Sequence, residues 1–226
     1  MAVLLSLETS TTVCSAALHE NGKLLAFSEL HIAQSASSKL AIMIDDLFKV
    51  CSVKPGQIDG VAVSGGPGSF TGLRIGVATG KGICYALNIP LISVNTLELM
   101  AYQVASVDSP DSLLCPMLDA RRMEVYYLLA DRDLTILEST DAKVIDEFSF
   151  RNWLDKGPVS FFGNGSPKCK EVVHHPNAWY IENISPGASA LGELAFKKFE
   201  SNQVEDLSSY EPFYLKDFVV KKPKSV

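Results

Sequence analysis

Charge is scarce in this 226-residue chain: charged residues make up 20%, against 47% apolar. That balance excludes a disordered chain and leaves enough material for a core. A cationic excess is missing too. Lys and Arg number 20, Asp and Glu 26, and the net charge is −6. This excludes a protein that coats nucleic acid by general positive charge, though not one that touches RNA within a larger assembly. No stretch approaches the roughly 18 apolar residues of a membrane helix. The opening Met1-Ala2-Val3-Leu4-Leu5-Ser6-Leu7 lacks a basic lead and meets Glu8 too early for a secretory leader. A cytoplasmic protein with no membrane partner is the expectation. The five cysteines (Cys14, Cys51, Cys84, Cys115, Cys169) are odd in number and form no CxxC pair. They read as reduced, mostly buried thiols rather than a disulfide framework or a zinc site. Histidine is scarce as well: His19, His31, His174 and His175 include no HExxH and no i, i+4 pair, so no metal site is expected. GxGxxG and GxSxG are absent. Gly76-xxx-Gly80-Lys81-Gly82 is one residue short of a P-loop and has glycine where the hydroxyl belongs.

What the chain does have is a repeated order of short elements. Residues 3–7, Val-Leu-Leu-Ser-Leu, read as a buried strand. Residues 13–18 and 23–30 read as two more, joined through Glu20-Asn21-Gly22, which supplies the left-handed residues of a tight hairpin. Leu40, Met43, Ile44, Leu47, Val50 and Cys51 recur at helical spacing over 37–51, until Pro55-Gly56 breaks the pattern. A strand at 58–64 enters a glycine-rich turn and then a helix over 72–87. Asn88 and Pro90 end that helix, and 91–94 is a strand. The second half repeats the order. Strands fall at 113–118, 125–130 and 134–144, a short helix at 148–154, and a strand at 159–162 enters Gly163-Asn164-Gly165. A short strand at 179–183 and a helix over 189–200 follow. Each half ends its first strand in an acid, Glu8 or Asp119. The pattern predicts an α/β protein of two similar lobes, βββαβα duplicated. The lobes divide as residues 1–105 and 106–226, with the tail packing back on the first. The basic end, Lys221-Lys222-Pro223-Lys224, reads as a solvated terminus.

Three segments can carry chemistry. Gly66–Thr71 admits two readings: a phosphate or carboxylate contact at a helix N-terminus, or a tight turn capped by Ser69 or Thr71. Gly72, Gly76 and Gly80 fall on one ridge of the following helix. Each interior glycine costs about 1 kcal/mol relative to alanine, so something must approach that ridge closely. The body is either the chain's own sheet or a helix of another subunit. With Ile42 and Phe48 outside the core stripe of the helix at 37–51, a subunit interface is favoured. Glu8-Thr9-Ser10-Thr11-Thr12 and Asp119-Ala120-Arg121-Arg122 occupy matching turns. Each reads as a phosphate contact or as an ordinary capped, charged turn.

Taken together, Leu4-Leu5-Ser6-Leu7-Glu8-Thr9-Ser10-Thr11, the string Gly66-Pro67-Gly68-Ser69-Phe70-Thr71-Gly72-Leu73-Arg74-Ile75-Gly76, and Pro90-Leu91-Ile92-Ser93-Val94-Asn95-Thr96-Leu97 resemble the TsaB (YeaZ) family. The resemblance is strong over residues 3–105. Gly163-Asn164-Gly165 and Pro212-Phe213-Tyr214-Leu215 extend it weakly. It implies the actin-like, sugar-kinase/Hsp70 ATPase fold in two lobes. It further implies a non-catalytic scaffold that pairs with the catalytic paralogue TsaD, works with the ATPase TsaE and meets tRNA indirectly. The set transfers threonylcarbamoyl to the adenosine beside the anticodon of tRNAs reading codons that start with A. Pairing through two helices places the partner interface on Leu40, Ile44, Leu47, Gly72, Ile75, Gly76, Thr79, Gly80 and Ile83. The same face would join two copies into a homodimer in isolation. A stretch resembling the paralogue's Val-Asn-His-x-x-Gly-His falls on Val94-Asn95-Thr96-Leu97-Glu98-Leu99-Met100, so Thr96 and Met100 stand where its metal-binding histidines would be. The resemblance therefore implies no catalytic residue and no metal. Glu8 replaces the aspartate usual in the first phosphate turn. ATP or ADP is then not required, and any weak binding, mainly within the complex, would involve Glu8, Ser10, Thr11, Gly68, Ser69 and Arg121. Two other readings stand beside this one: an independent phosphotransferase of the same fold, which predicts tight ATP–Mg binding, and a metal-dependent peptidase, for which no nucleophile–histidine pair is evident.

Overall fold

The computed structural model describes residues 1–105 and 111–215; the basic segment at 221–224 lies outside them. The first lobe opens on a hairpin meander, β1 (Val3–Glu8), β2 (Cys14–Glu20) and β3 (Lys23–Leu30). Asn21 at φ 49° and Gly22 at φ 75° make the turn as the sequence predicts. Helix α1 (Ala36–Val50) buries Leu40, Met43, Ile44 and Leu47, one stripe of helical period. Strand β4 (Gly60–Gly66), helix α2 (Phe70–Leu87) and strand β5 (Leu91–Asn95) complete the unit. Asn88 ends α2 in the left-handed conformation. The sheet order is β3-β2-β1-β4-β5, with β1, β4 and β5 parallel.

The second lobe runs β6 (Leu113–Asp119), β7 (Glu124–Ala130), β8 (Ile136–Val144), α4 (Arg151–Leu154), β9 (Val159–Phe162), α5 (Ser166–Val172), β10 (Ala178–Ile181) and α6 (Ala188–Glu200), after the connecting helix α3 (Thr96–Ala105). Its sheet order, β10-β9-β6-β7-β8, repeats that of the first element for element, as the duplicated pattern predicts. Helices α3 and α5 lie outside the predicted set. Their signals were local. Asn95 Oδ1 accepts from the Leu97 and Glu98 N–H groups to cap α3, and Pro167 sits in the first turn of α5.

The division at residue 105 needs correction. Leu191 and Ala195 of α6 pack on Leu4, Ala62, Ile92 and Val94, which are strand residues of the first lobe. Gly192 leaves room for the buried His19 imidazole of β2, whose Nε2 donates to the Ser189 carbonyl at 2.7 Å. The last helix of the chain thus covers the back of the first sheet. Residues 203–215 then follow as a strap along that lobe. Glu205 N donates to Leu91 O at 2.9 Å, on the free edge of β5. Tyr210 Oη meets Ser93 Oγ at 2.6 Å, and Phe213 N donates to Gly65 O at 2.7 Å.

Candidate functional site

A cleft of about 610 Å³ separates the lobes. One wall is the β1–β2 turn (Ser10, Thr11, Thr12) and the start of α2 (Gly68, Ser69, Thr71). Asp119, Arg121, Arg122 and Asn164 of the second lobe face it, and strap residues Phe213 and Tyr214 line the mouth. Of the residues expected at a nucleotide, Ser10, Thr11, Gly68, Ser69 and Arg121 are brought together here. Glu8 is not among the lining residues. Its side chain is fully buried below the turn, with Oε1 accepting from Ser10 N at 2.6 Å and Ser10 Oγ at 2.5 Å. Its Oε2 has no hydrogen-bond partner, and burial pushes the carboxyl up to about 7. The expectation that Glu8 touches a nucleotide is therefore corrected: the carboxyl is turned into the protein.

The two turns are fastened to each other. Ser69 N donates to Ser10 O at 2.6 Å, and Thr9 Oγ1 donates to Gly72 O at 2.7 Å. Ser69 caps α2, accepting from Gly72 N at 3.2 Å, and Thr11 Oγ1 accepts from Val13 N at 3.2 Å. The capped-turn reading of Gly66–Thr71 is the one observed, and these hydroxyls are committed to the chain's own backbone.

The glycine ridge of α2 also faces inward. Gly72 and Gly76 abut Thr9, and a Cβ on Gly80 would stand 2.9 Å from a Val63 methyl. All three glycines are buried, as are Leu40, Ile44 and Leu47 in the core beneath α1 and α2. These six expected interface residues are internal: the ridge admits the chain's own β1–β2 turn and β4, not a neighbour. Ile75, Thr79 and Ile83 sit half-buried on the flank. A second small-residue ridge, Ala78, Gly82 and Ala86, runs about 200° around the helix and is exposed. It has the same four-residue spacing, so spacing alone could not rank the two. A Cβ on Gly82 meets nothing within 4 Å. Tyr85, 83% exposed, stands beside it, and α1 adds exposed Ile42 and Val50.

On the opposite wall of the cleft, Lys168 Nζ and Arg121 N hold the Asp119 carboxylate, and Asn164 Oδ1 accepts from Asp119 N at 2.9 Å. Arg121 at φ 71° and Arg122 at φ 50° are both left-handed, which costs roughly 1–2 kcal/mol for each residue that is not glycine. Sequence reasoning missed this strain, because Arg-Arg is not a turn signal. Among the described residues, no group of three His, Cys, Asp or Glu is placed to hold a metal. Cys14 and Cys84 are buried with thiols pushed up to about 11, so neither is a ready nucleophile.

Two duplicated sheets closing on a cleft define a protein of the actin-like, sugar-kinase/Hsp70 ATPase fold. Component A of the (R)-2-hydroxyglutaryl-CoA dehydratase of Acidaminococcus fermentans shares that fold, with a TM-score of 0.50 at 10% identity over 88% of this chain and 99% of that one. A family model described as TsaD, tRNA N6-adenosine threonylcarbamoyltransferase, matches residues 31–224. The tRNA threonylcarbamoyladenosine biosynthesis protein TsaB of Escherichia coli is 32% identical over 225 residues, covering 97% of this chain and 96% of that protein. TsaB of Bacillus subtilis is 28% identical over 222 residues, covering 94% of this chain and 93% of that protein. YeaZ from Pseudomonas aeruginosa superposes with a TM-score of 0.83 at 26% identity over 95% of this chain and the whole of that one. The chain belongs to the TsaB (YeaZ) family of tRNA threonylcarbamoyladenosine biosynthesis proteins. No described helix is long and apolar enough to cross a membrane.

Proposed function

We propose that the chain is a non-catalytic scaffold in threonylcarbamoyl transfer to the adenosine beside the anticodon of tRNAs reading codons that start with A. It pairs with a TsaD-type catalytic paralogue and serves a complex that includes a TsaE-type ATPase. The observation that carries this reading is the outer face of α1 and α2. Exposed Tyr85 stands on α2 beside the open Ala78–Gly82–Ala86 ridge, an aromatic anchor next to small residues that let a facing helix approach, and α1 adds exposed Ile42. Ile75, Thr79 and Ile83 form its border. The same face pairs two copies when the partner is missing.

A non-catalytic role is supported by the two positions where the resemblance places the paralogue's metal-binding histidines. Thr96 and Met100 are both fully buried, Met100 in the apolar cluster joining α3 to the second sheet. Nucleotide is not required on this reading. The Ser10, Thr11 and Ser69 hydroxyls are already bonded within the chain and Glu8 is turned away, so ATP or ADP binds weakly and mainly in the complex. The test is Gly82→Leu, which adds bulk where the isolated chain has open space. Co-purification with the paralogue is lost while the melting temperature holds or rises, and the modified adenosine disappears from tRNA of a strain carrying only this variant. Normal pairing by Gly82→Leu overturns the interface, and sub-micromolar ATP–Mg binding with phosphotransfer by the isolated chain overturns the scaffold reading.

A further inference from the structure

Arg121 and Arg122 break a local rule, and no side-chain contact among the described residues offsets it. Both hold left-handed backbone, where asparagine or glycine is at ease. Both side chains are exposed at the cleft. Among the described residues neither guanidinium makes a hydrogen bond, an ion pair or a ring contact. The neighbouring cations are engaged. Lys168 is on Asp119, and Arg74 lies 3.9 Å from the centroid of the Phe70 ring, with its Nε donating to Tyr214 Oη. Strained, exposed cations in a concave site, with no anion paired to them among the described residues, fit an anion from outside.

The cleft narrows the anion's class. The turns that would cradle a compact polyphosphate are bonded to each other through Ser69 N and Ser10 O, and Glu8 is sealed beneath them. What stays available in the same cleft is two exposed arginines, Arg121 and Arg122, and Phe213, 47% exposed. Two consecutive cations plus an aromatic ring suit a strand with successive phosphates and an unstacked base better than one nucleotide. We infer that this cleft takes a single-stranded segment of RNA, with phosphodiester groups on Arg121 and Arg122 and a base against Phe213. The inference rests on the tRNA-modification reading and deepens it: the scaffold contributes an RNA contact of its own. The chain's net charge of −6 makes the contact local, so affinity comes from these few groups.

The test uses the double variant Arg121→Asn, Arg122→Gly. It removes both charges and supplies the residues that left-handed backbone prefers, so the turn keeps or gains stability and loss of binding cannot come from unfolding. Fluorescence anisotropy of the full chain, alone and paired with its catalytic paralogue, is read with a labelled 12-nucleotide single-stranded RNA, with a duplex of the same sequence, and with ATP–Mg. Wild type is expected to bind the single strand more tightly than either competitor. The double variant weakens that binding at least tenfold and lowers the slope of log K against log salt by about 1.4, two phosphate contacts on a single strand. Phe213→Ala weakens it without changing the slope. Binding of ATP–Mg in preference to RNA, or RNA binding that the double variant leaves unchanged, overturns the inference. Pairing through Gly82 would survive either result, so failure here is separable from failure of the scaffold reading.

Discussion

Glu8 and His19 are each buried at the end of a strand and pull stability in opposite directions with pH. The folded Glu8 carboxyl holds its proton to about 7, while the unfolded chain releases it near 4.5. Between those values the unfolded state binds fewer protons, so the Glu8 contribution is full below 4.5 and is lost as pH rises through 7. The span corresponds to about 3 kcal/mol. Glu8→Gln keeps an acceptor for Ser10 and cannot ionise. Urea unfolding at pH 5 and pH 8 should show the wild type losing stability relative to the variant at the higher pH. Burial pushes His19 down from 6.5, so its contribution is present above that value and is lost as pH falls below it. The acid at the end of β1 was legible as a motif, but its direction was not. The chain alternates sides along a strand, and only the packing of the first turn decides whether that carboxyl meets solvent or the interior.

Helix α2 carries two small-residue ridges, and the one the sequence alone marks as the interface is buried against the chain's own residues. Gly72, Gly76 and Gly80 are glycines because Thr9, Val63 and Leu91 come too close for a Cβ. Gly76→Leu is therefore expected to destabilise the chain by about 3 kcal/mol, read as a lowered denaturant midpoint. Gly82→Leu replaces an exposed helical glycine with a better helix former. It should raise stability by up to about 1 kcal/mol while abolishing pairing. The two variants separate the inner face from the outer by one calorimetric scan each. Periodicity found the elements of β1 to β5 well, because alternation and helical stripes follow from which face is wet. It missed α3 and α5. The first is apolar nearly all round, with six of its ten residues buried, and the second is only about two turns long, with Pro167 in its first turn.

The lobes are joined by more than the chain between them. Helix α6 covers the first sheet, and the strap beyond it meets β5 through Glu205 and Tyr210 and the end of β4 through Phe213. Removing residues 203–226 should expose that edge, so the truncated protein is expected to aggregate on heating, seen by light scattering during a melt. Tyr210→Phe is the milder variant. It leaves Ser93 Oγ without its partner at a cost of about 1 kcal/mol, a fall of roughly 2–4 °C in melting temperature. The strap also runs past Lys81, Arg74 and Phe70 on α2, which places the outer face of that helix and the cleft mouth on one continuous structure.

Local chemistry alone determined the alternating order of strands and helices, its duplication, the Asn21-Gly22 hairpin and the Ser69 cap, since each depends on residues within a few positions of one another. The family, too, was readable from contiguous motifs in the first half. Tertiary structure alone decided what lies against what: that the glycine ridge is filled by Thr9 and Val63, that the last helix covers the first sheet, and that Arg121 and Arg122 stand exposed at the cleft. Those facts turn on contacts between residues tens to hundreds of positions apart, and spacing along a chain carries no record of which surface will fold back to meet it.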